Sequence, residues 1–212
     1  MLETIATPSA RDKLLTAAFA VIRAQGYAAT SVDDLCAAAG VTKGAFFHHF
    51  KTKEAVGVAA AEHWSATTGE FFRAAPYHHY ADPLDRVLGY IAFRRSILQG
   101  ATADFTCLVG TMVQETYAEH PAIRDACAAS IWGHAATLEA DIGAAMAARG
   151  MAPTDWTAAS LALHTQAVLQ GAFILAKARD GSSDAVTVAV AVVDHLRRYV
   201  EVLFPCGNVR AA

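Results

Sequence analysis

Residues 40 to 56 read GVTKGAFFHHFKTKEAV, which gathers Lys43, Lys51 and Lys53, the adjacent pair His48 and His49, and the adjacent pair Phe46 and Phe47. Ammonium and imidazole groups beside exposed aromatic rings suit non-covalent recognition of an anionic surface; bond-making chemistry needs other arrangements. Groups for acid–base work exist in Glu115, His120, His134 and His164. Their spacing forms no HExxH, GxSxG, phosphate loop or ExxH pair, so an all-α enzyme is the weaker alternative. Histidine pairs occur at 48–49 and 78–79, but consecutive helical residues do not face one site, and no metal or cofactor is expected. The cysteines, Cys36, Cys107, Cys127 and Cys206, show neither CxxC nor zinc-ligand spacing and read as free thiols buried as small hydrophobes. Cys107 and Cys127 leave open a redox- or electrophile-sensing role, which requires a thiolate near a cation.

The elements that must position these groups read as helices throughout. Strand-like alternation bounded by hairpin turns is missing, and Pro, Gly, Ser and Thr cut the chain into helical lengths. Ser9 caps a first helix over 11–25, with Leu14, Leu15, Ala18, Phe19 and Ile22 at helical spacing and Gly26 as its stop. Ser31 with Asp34 three residues on is an approximate capping box opening 32–39, and Gly40 ends that helix. Thr42 opens a third helix to Phe50, and Thr52 or Lys53 a fourth to about Phe72, which APYHHYADP breaks. The remaining helices are expected from Pro83 through Leu98, over 102–118 and 121–150, from a Thr154 cap to Arg179, and over 184–204 with Pro205 as the stop.

The chain has 212 residues, 54% of them hydrophobic, enough for one large or two small domains with a real core. Apolar runs are broken by Arg, Asp, Glu or His short of the roughly 18 residues of a membrane span, and MLETIATPSARDK lacks a signal-like apolar region, so a cytoplasmic protein without membrane attachment is expected. A net charge of −3 argues against a protein that coats nucleic acid. The charge is uneven, however: residues 1–56 carry six Lys/Arg against five Asp/Glu and the rest eleven against fifteen, so an anionic partner should meet the N-terminal end.

Three short helices joined by tight turns are what a helix-turn-helix module requires. In a helix starting at Thr42, Phe46 and Phe50 fall on one face and can pack with Phe19, Val32 and Leu35, while Gly44, Ala45 and His48 are left free and Lys43, Phe47 and His49 flank them. Such a surface can lie close to a DNA groove, with the N-termini near Ser31, Thr42 and Lys53 suited to phosphate oxygens.

Residues 11 to 64 resemble the N-terminal domain of TetR/AcrR-type transcriptional regulators, whose G[YF]xxTS turn, short helix ending AGV and SKGALYYHFKSKEEL-like stretch are matched without a gap by GYAATSVDDLCAAAGVTKGAFFHHFKTKEAV. The resemblance implies an all-α protein with a DNA-binding domain at 1–56, linked through a helix at about 53–72 to a ligand-binding and dimerisation domain at 57–212. It also implies that Thr30, Ser31, Thr42, Lys43, Gly44, Ala45, Phe47, His48, His49 and Lys53 face DNA. Phe47 departs from the Tyr usual there. By the same resemblance the partners are a double-stranded operator, a second copy of the chain and a small-molecule effector of unknown identity. Residues 107 to 142 resemble a C-terminal type of the family, and the last two long helices, apolar on more than one face, suit a four-helix dimer interface. Trp64, Phe71, Tyr90, Phe93, Arg94, Met112, Glu115, Trp132, His134 and His164 lie on helices that could surround an effector cavity.

Overall fold

The fold is described from a computed structural model, which covers residues 8–152, 155–179 and 184–204. Among these, helix is the sole regular structure. In chain order the helices are α1 (Ala10–Gln25), α2 (Val32–Ala39), α3 (Lys43–His49), α4 (Lys53–Arg73), α5 (Pro83–Ser96), α6 (Thr102–Phe105), α7 (Leu108–Thr116), α8 (Pro121–Ala148), α9 (Ala158–Lys177) and α10 (Asp184–Leu203), with a 3-10 turn at Pro76–His79 before α5.

The boundaries follow local capping chemistry. Ser9 and Asp12 form a reciprocal capping box at α1, and Ser31 and Asp34 form another at α2, each side chain satisfying the other residue's free backbone N–H. Gly40, at φ 62° and ψ 38°, ends α2 in the left-handed region that glycine enters without penalty. The continuous helix expected over 102–118 is instead broken: Cys107, at φ −83° and ψ 124°, caps α7, its Sγ accepting from the Gly110 N–H at 3.4 Å. Helix α9 is capped by Thr157, in a capping box with Ser160. The expected cap Thr154 and the expected stop Pro205 lie outside the described residues, as does Cys206.

Two compact units emerge. The first comprises the chain up to Glu70 together with Thr106–Trp132, the second Phe71–Phe105 and the chain from Gly133. In the first, α1, α2, α3, the start of α4, α7 and the start of α8 enclose one core of Leu14, Leu15, Ile22, Leu35, Phe46, Val56, Met112 and Ile123, each at most 1% exposed. Gly57 allows a close approach here, since a Cβ at that position would stand 2.9 Å from Ile123 Cδ1 and 3.0 Å from Tyr27 Cε2. In the second unit α9 packs along α10, α10 packs on α5, and Leu169, Ala172, Ala176, Val193, Leu196 and Val200 are buried. Ion pairs Arg86–Asp141 (2.7 Å) and Arg149–Asp82 (2.8 Å) tie α5 and its cap to α8.

By length and composition α9 is apolar enough to cross a membrane, which the expectation of interrupted runs did not allow for. Buried Thr165 and Gln166 and packing on α10 are what a core helix of a globular unit shows, and the same test passes such helices. Leu163, Ile174 and Leu175 on α9 and Tyr199 and Val202 on α10 remain exposed.

Candidate nucleic-acid interface

Helix α3 is short, and its position is fixed from both sides. Thr42 Oγ1 accepts the Ala45 N–H at 3.1 Å at its start, while Phe46, fully buried, and Phe50 at its end anchor it in the core. One residue further along, Phe47 is 47% exposed, so the two adjacent phenylalanines serve opposite faces as the helical period requires. Lys43, Gly44, His48 and His49 share the exposed surface with Phe47, and Ala45 is half-buried at its edge. Around Gly44 a Cβ would meet nothing closer than Thr42 Oγ1, 3.7 Å away, so the N-terminal turn of α3 presents almost no bulk. A helix bare at its start and cationic or aromatic at its rim fits the major groove, where backbone and small side chains must approach the base edges.

The charged groups are already engaged. Lys43 Nζ lies 2.8 Å from Asp33 Oδ1, with both side chains exposed, and the hydrogen bond to Asp33 holds the lysine above its ordinary pKa. Asp33 was not among the residues singled out from sequence; it sits on α2, and no local spacing rule connects it with α3. Lys53 turns inward to the α1–α2 turn: its Nζ donates to the Ala28 carbonyl at 3.2 Å and lies 4.3 Å from the centre of the Tyr27 ring. Burial there lowers its pKa. Ser31 is exposed, but its hydroxyl both donates to Asp34 and accepts from the Asp34 N–H. Thr30 corrects the sequence expectation: it is 2% exposed and its hydroxyl donates to the Gly26 carbonyl at 2.6 Å, so it shapes the α1–α2 turn and offers no side chain to DNA.

The candidate effector residues divide. Tyr90, Phe93, Arg94 and His134 come together in the second unit, with the exposed Phe71 5.1 Å from Phe93 at the rim. Phe72, Tyr77, Gln166 and Phe173 complete the cluster, and the sequence reading missed them because they come from three elements, α4, the 3-10 turn and α9, that no local spacing connects. The Tyr90 hydroxyl meets His134 Nε2 at 2.9 Å and receives Gln166 Nε2 at 3.3 Å. Burial, helped by the Arg94 charge, pushes His134 down to about 4.

The other candidates are corrected. Met112 is fully buried in the first unit's core, Trp64 packs edge-on against Phe19 at 5.2 Å, and Glu115 binds the Ala28 N–H. Trp132 is 58% exposed, and His164 lies against Tyr199 on the outer side of α9. Acid–base candidates are likewise scattered, with His120 3.4 Å from Glu54 in the first unit and His134 on Tyr90 in the second. Cys127 is fully buried and its thiol is pushed up to about 12, the opposite of a reactive thiolate. Among the described residues no three His, Cys, Asp or Glu side chains cluster as metal ligands would.

Comparison with known proteins agrees with this geometry. Residues 14–60 match the family model of bacterial regulatory proteins of the TetR family, and residues 83–189 match that of the C-terminal domain of LmrA/YxaF-like transcriptional regulators. The HTH-type transcriptional regulator YerO of Bacillus subtilis (strain 168) is 32% identical over 54 residues, 26% of this chain. That match spans 19% of the relative's length. Among solved structures, the reduced form of E. coli NemR superposes with a TM-score of 0.77 at 20% identity, over 94% of this chain and 99% of that one. A TetR transcriptional regulator from Chloroflexus aurantiacus J-10-FL gives 0.75 at 25% identity, over 90% and 93%. A TetR-family regulator from Agrobacterium tumefaciens gives 0.76 at 18% identity, over 90% and 96%. With both family models matched along its length and an exposed recognition helix seated on the core through Phe46, the chain belongs to the TetR family of DNA-binding transcriptional regulators.

Proposed function

We propose that the chain is a homodimeric repressor that binds a palindromic operator and releases it when a small molecule occupies its body. Residues 1–56 carry the DNA contacts, and residues 57–212 carry effector binding and dimerisation. The carrying observation is α3 itself, whose outer surface of Lys43, Gly44, Phe47, His48 and His49 is exposed while Phe46 locks the helix in register.

Dimerisation is supported by Leu163, Ile174 and Leu175 on α9 and by Tyr199 and Val202 on α10, large apolar side chains exposed on two helices packed side by side. Pairing these helices with a second copy makes a four-helix contact and removes that surface from water. It also supplies a second recognition helix, which two half-sites about 34–36 Å apart demand. Release follows by population shift: an effector that favours a conformation with mismatched recognition helices by about 1.4 kcal/mol lowers operator affinity tenfold.

Fluorescence anisotropy of the full chain on duplex from upstream of its own gene, across several salt concentrations, tests the reading. A preference of ~10³ or more over random duplex with steep salt dependence, lost in Lys43→Ala, is the expected result. Sequence-blind binding there and in a selection from random duplexes would overturn it.

A further inference from the structure

We propose that the guanidinium of Arg94 is the anion-recognition point of the effector site, and that the effector is an aromatic carboxylate. This rests on the reading above that the body binds a small molecule.

The arginines of α5 are treated differently by the fold. Arg86 has Asp141 at 2.7 Å and Arg95 has Asp194 at 2.7 Å. Between them in sequence, half-buried Arg94 has no carboxylate within ion-pair distance among the described residues. Its guanidinium carbon lies instead 5.0 Å from the Phe72 ring, 5.9 Å from Tyr90 and 5.6 Å from Phe173, rings supplied by α4, α5 and α9. Ring faces hold a cation but leave the five N–H donors of its fork unmatched, and that planar fork fits a carboxylate with two parallel hydrogen bonds.

The polar groups beside it do not neutralise the charge. Gln166 Nε2 donates to the Tyr90 oxygen at 3.3 Å, the Tyr90 hydroxyl and His134 Nε2 share a hydrogen bond at 2.9 Å, and burial keeps the imidazole neutral. Among the described residues Arg94 is the charge of this half-buried cluster that has no counter-ion, since Asp141 near Tyr77 is paired with Arg86. That favours an anion over a cation and over a neutral amide, whose carbonyl is a weaker, uncharged acceptor. Phe72, Phe93, Tyr77 and Phe173 supply ring edges and faces, with Phe93 5.8 Å from Phe72 and 5.9 Å from Tyr77, so the body of the ligand is best a ring.

The test uses the full-length chain, 2-naphthoate and its neutral counterpart 2-naphthamide, and isothermal titration calorimetry. The carboxylate should bind at least roughly tenfold more tightly than the amide, a difference of about 1.4 kcal/mol. Arg94→Gln should erase that preference while its helical circular dichroism stays native, and Arg95→Gln, on the same helix but paired with Asp194, should keep it. An amide that binds as tightly as the carboxylate, a preference surviving in Arg94→Gln, or failure of both probes to bind would each overturn the assignment. Operator anisotropy separates the two readings: release by naphthamide as readily as by naphthoate sinks the anion assignment and leaves effector control standing. A chain that binds no operator sinks the repressor reading, while the calorimetric preference still decides the role of Arg94.

Discussion

Glu115, near the end of α7, accepts the backbone N–H of Ala28 at 2.7 Å, eighty-seven residues away in sequence. The carbonyl of the same Ala28 accepts Lys53 Nζ at 3.2 Å. One peptide residue in the α1–α2 turn is thus gripped at both polar groups, by α7 on one side and α4 on the other. The turn has little slack beyond this: Gly26 sits at φ 87°, and a Cβ there would collide with the Glu115 carboxylate.

Removing the grip should loosen the turn that sets where α2 and α3 start. Glu115→Ala removes a charge-assisted hydrogen bond at an exposed position and should lower stability by about 1 kcal/mol, with Glu115→Gln, which keeps an acceptor, costing less. Urea unfolding read by circular dichroism gives the first number and operator anisotropy the second. An unchanged midpoint together with unchanged operator affinity would show that the contact does not hold the turn.

The ion pair between Lys43 and Asp33 makes a sharper demand. On DNA, Lys43 must exchange Asp33 for phosphate or base, and the Asp33 carboxylate itself repels the polyanion. Asp33→Asn should therefore tighten binding to operator and random duplex alike, and only modestly, because an exposed ion pair is weakened by water and salt. Lys43→Ala should weaken binding and reduce the salt slope by about one if the contact is to phosphate. Anisotropy titrations of both variants at three salt concentrations decide it, and weaker binding by Asp33→Asn would mean that the aspartate positions the lysine.

What was legible in the sequence follows from the range of the forces involved. Capping boxes act over three residues, so Ser31 with Asp34 announced α2, and helical periodicity separated buried Phe46 from exposed Phe47. The break between α6 and α7 escaped because its cap is Cys107, a residue type that carries no capping signal. Glu115 and Met112 were assigned to an effector cavity for the same reason that Asp33 was overlooked: a helix's period says which residues share a face, and nothing says which distant element that face meets. Half of the aromatic cluster around Tyr90 was named from sequence, whereas Gln166 and Phe173 become part of it through the packing of α9.

Phe47 offers a gain-of-function test. Its ring is exposed beside Lys43, and a hydroxyl added at its tip extends toward whatever α3 docks against. Phe47→Tyr should tighten operator binding by about fivefold, the value of roughly 1 kcal/mol for one added hydrogen bond to phosphate. Binding to random duplex should tighten by a similar factor, since phosphate contacts carry no sequence information. Parallel anisotropy titrations on both duplexes check this, and tightening confined to the operator would place the hydroxyl on a base.

The last prediction concerns pH. In the folded chain His134 is pushed from 6.5 to about 4, because burial disfavours the charged imidazole and the Arg94 charge adds to that penalty. In the unfolded chain it protonates near 6.5. Between these values the unfolded state binds the extra proton, so stability contributed by neutral His134 is present above about pH 6.5 and is lost as pH falls toward 4. The full loss is on the order of 3 kcal/mol, and below the folded value it grows no further. His134→Gln keeps a polar side chain that does not titrate, so its unfolding midpoint should fall less steeply than that of the parent chain across this window, whatever its midpoint at neutral pH. Urea midpoints at half-unit steps from pH 7 to pH 4 supply the comparison. Parallel curves would show that His134 carries its proton in the fold, which would set a second positive charge beside Arg94.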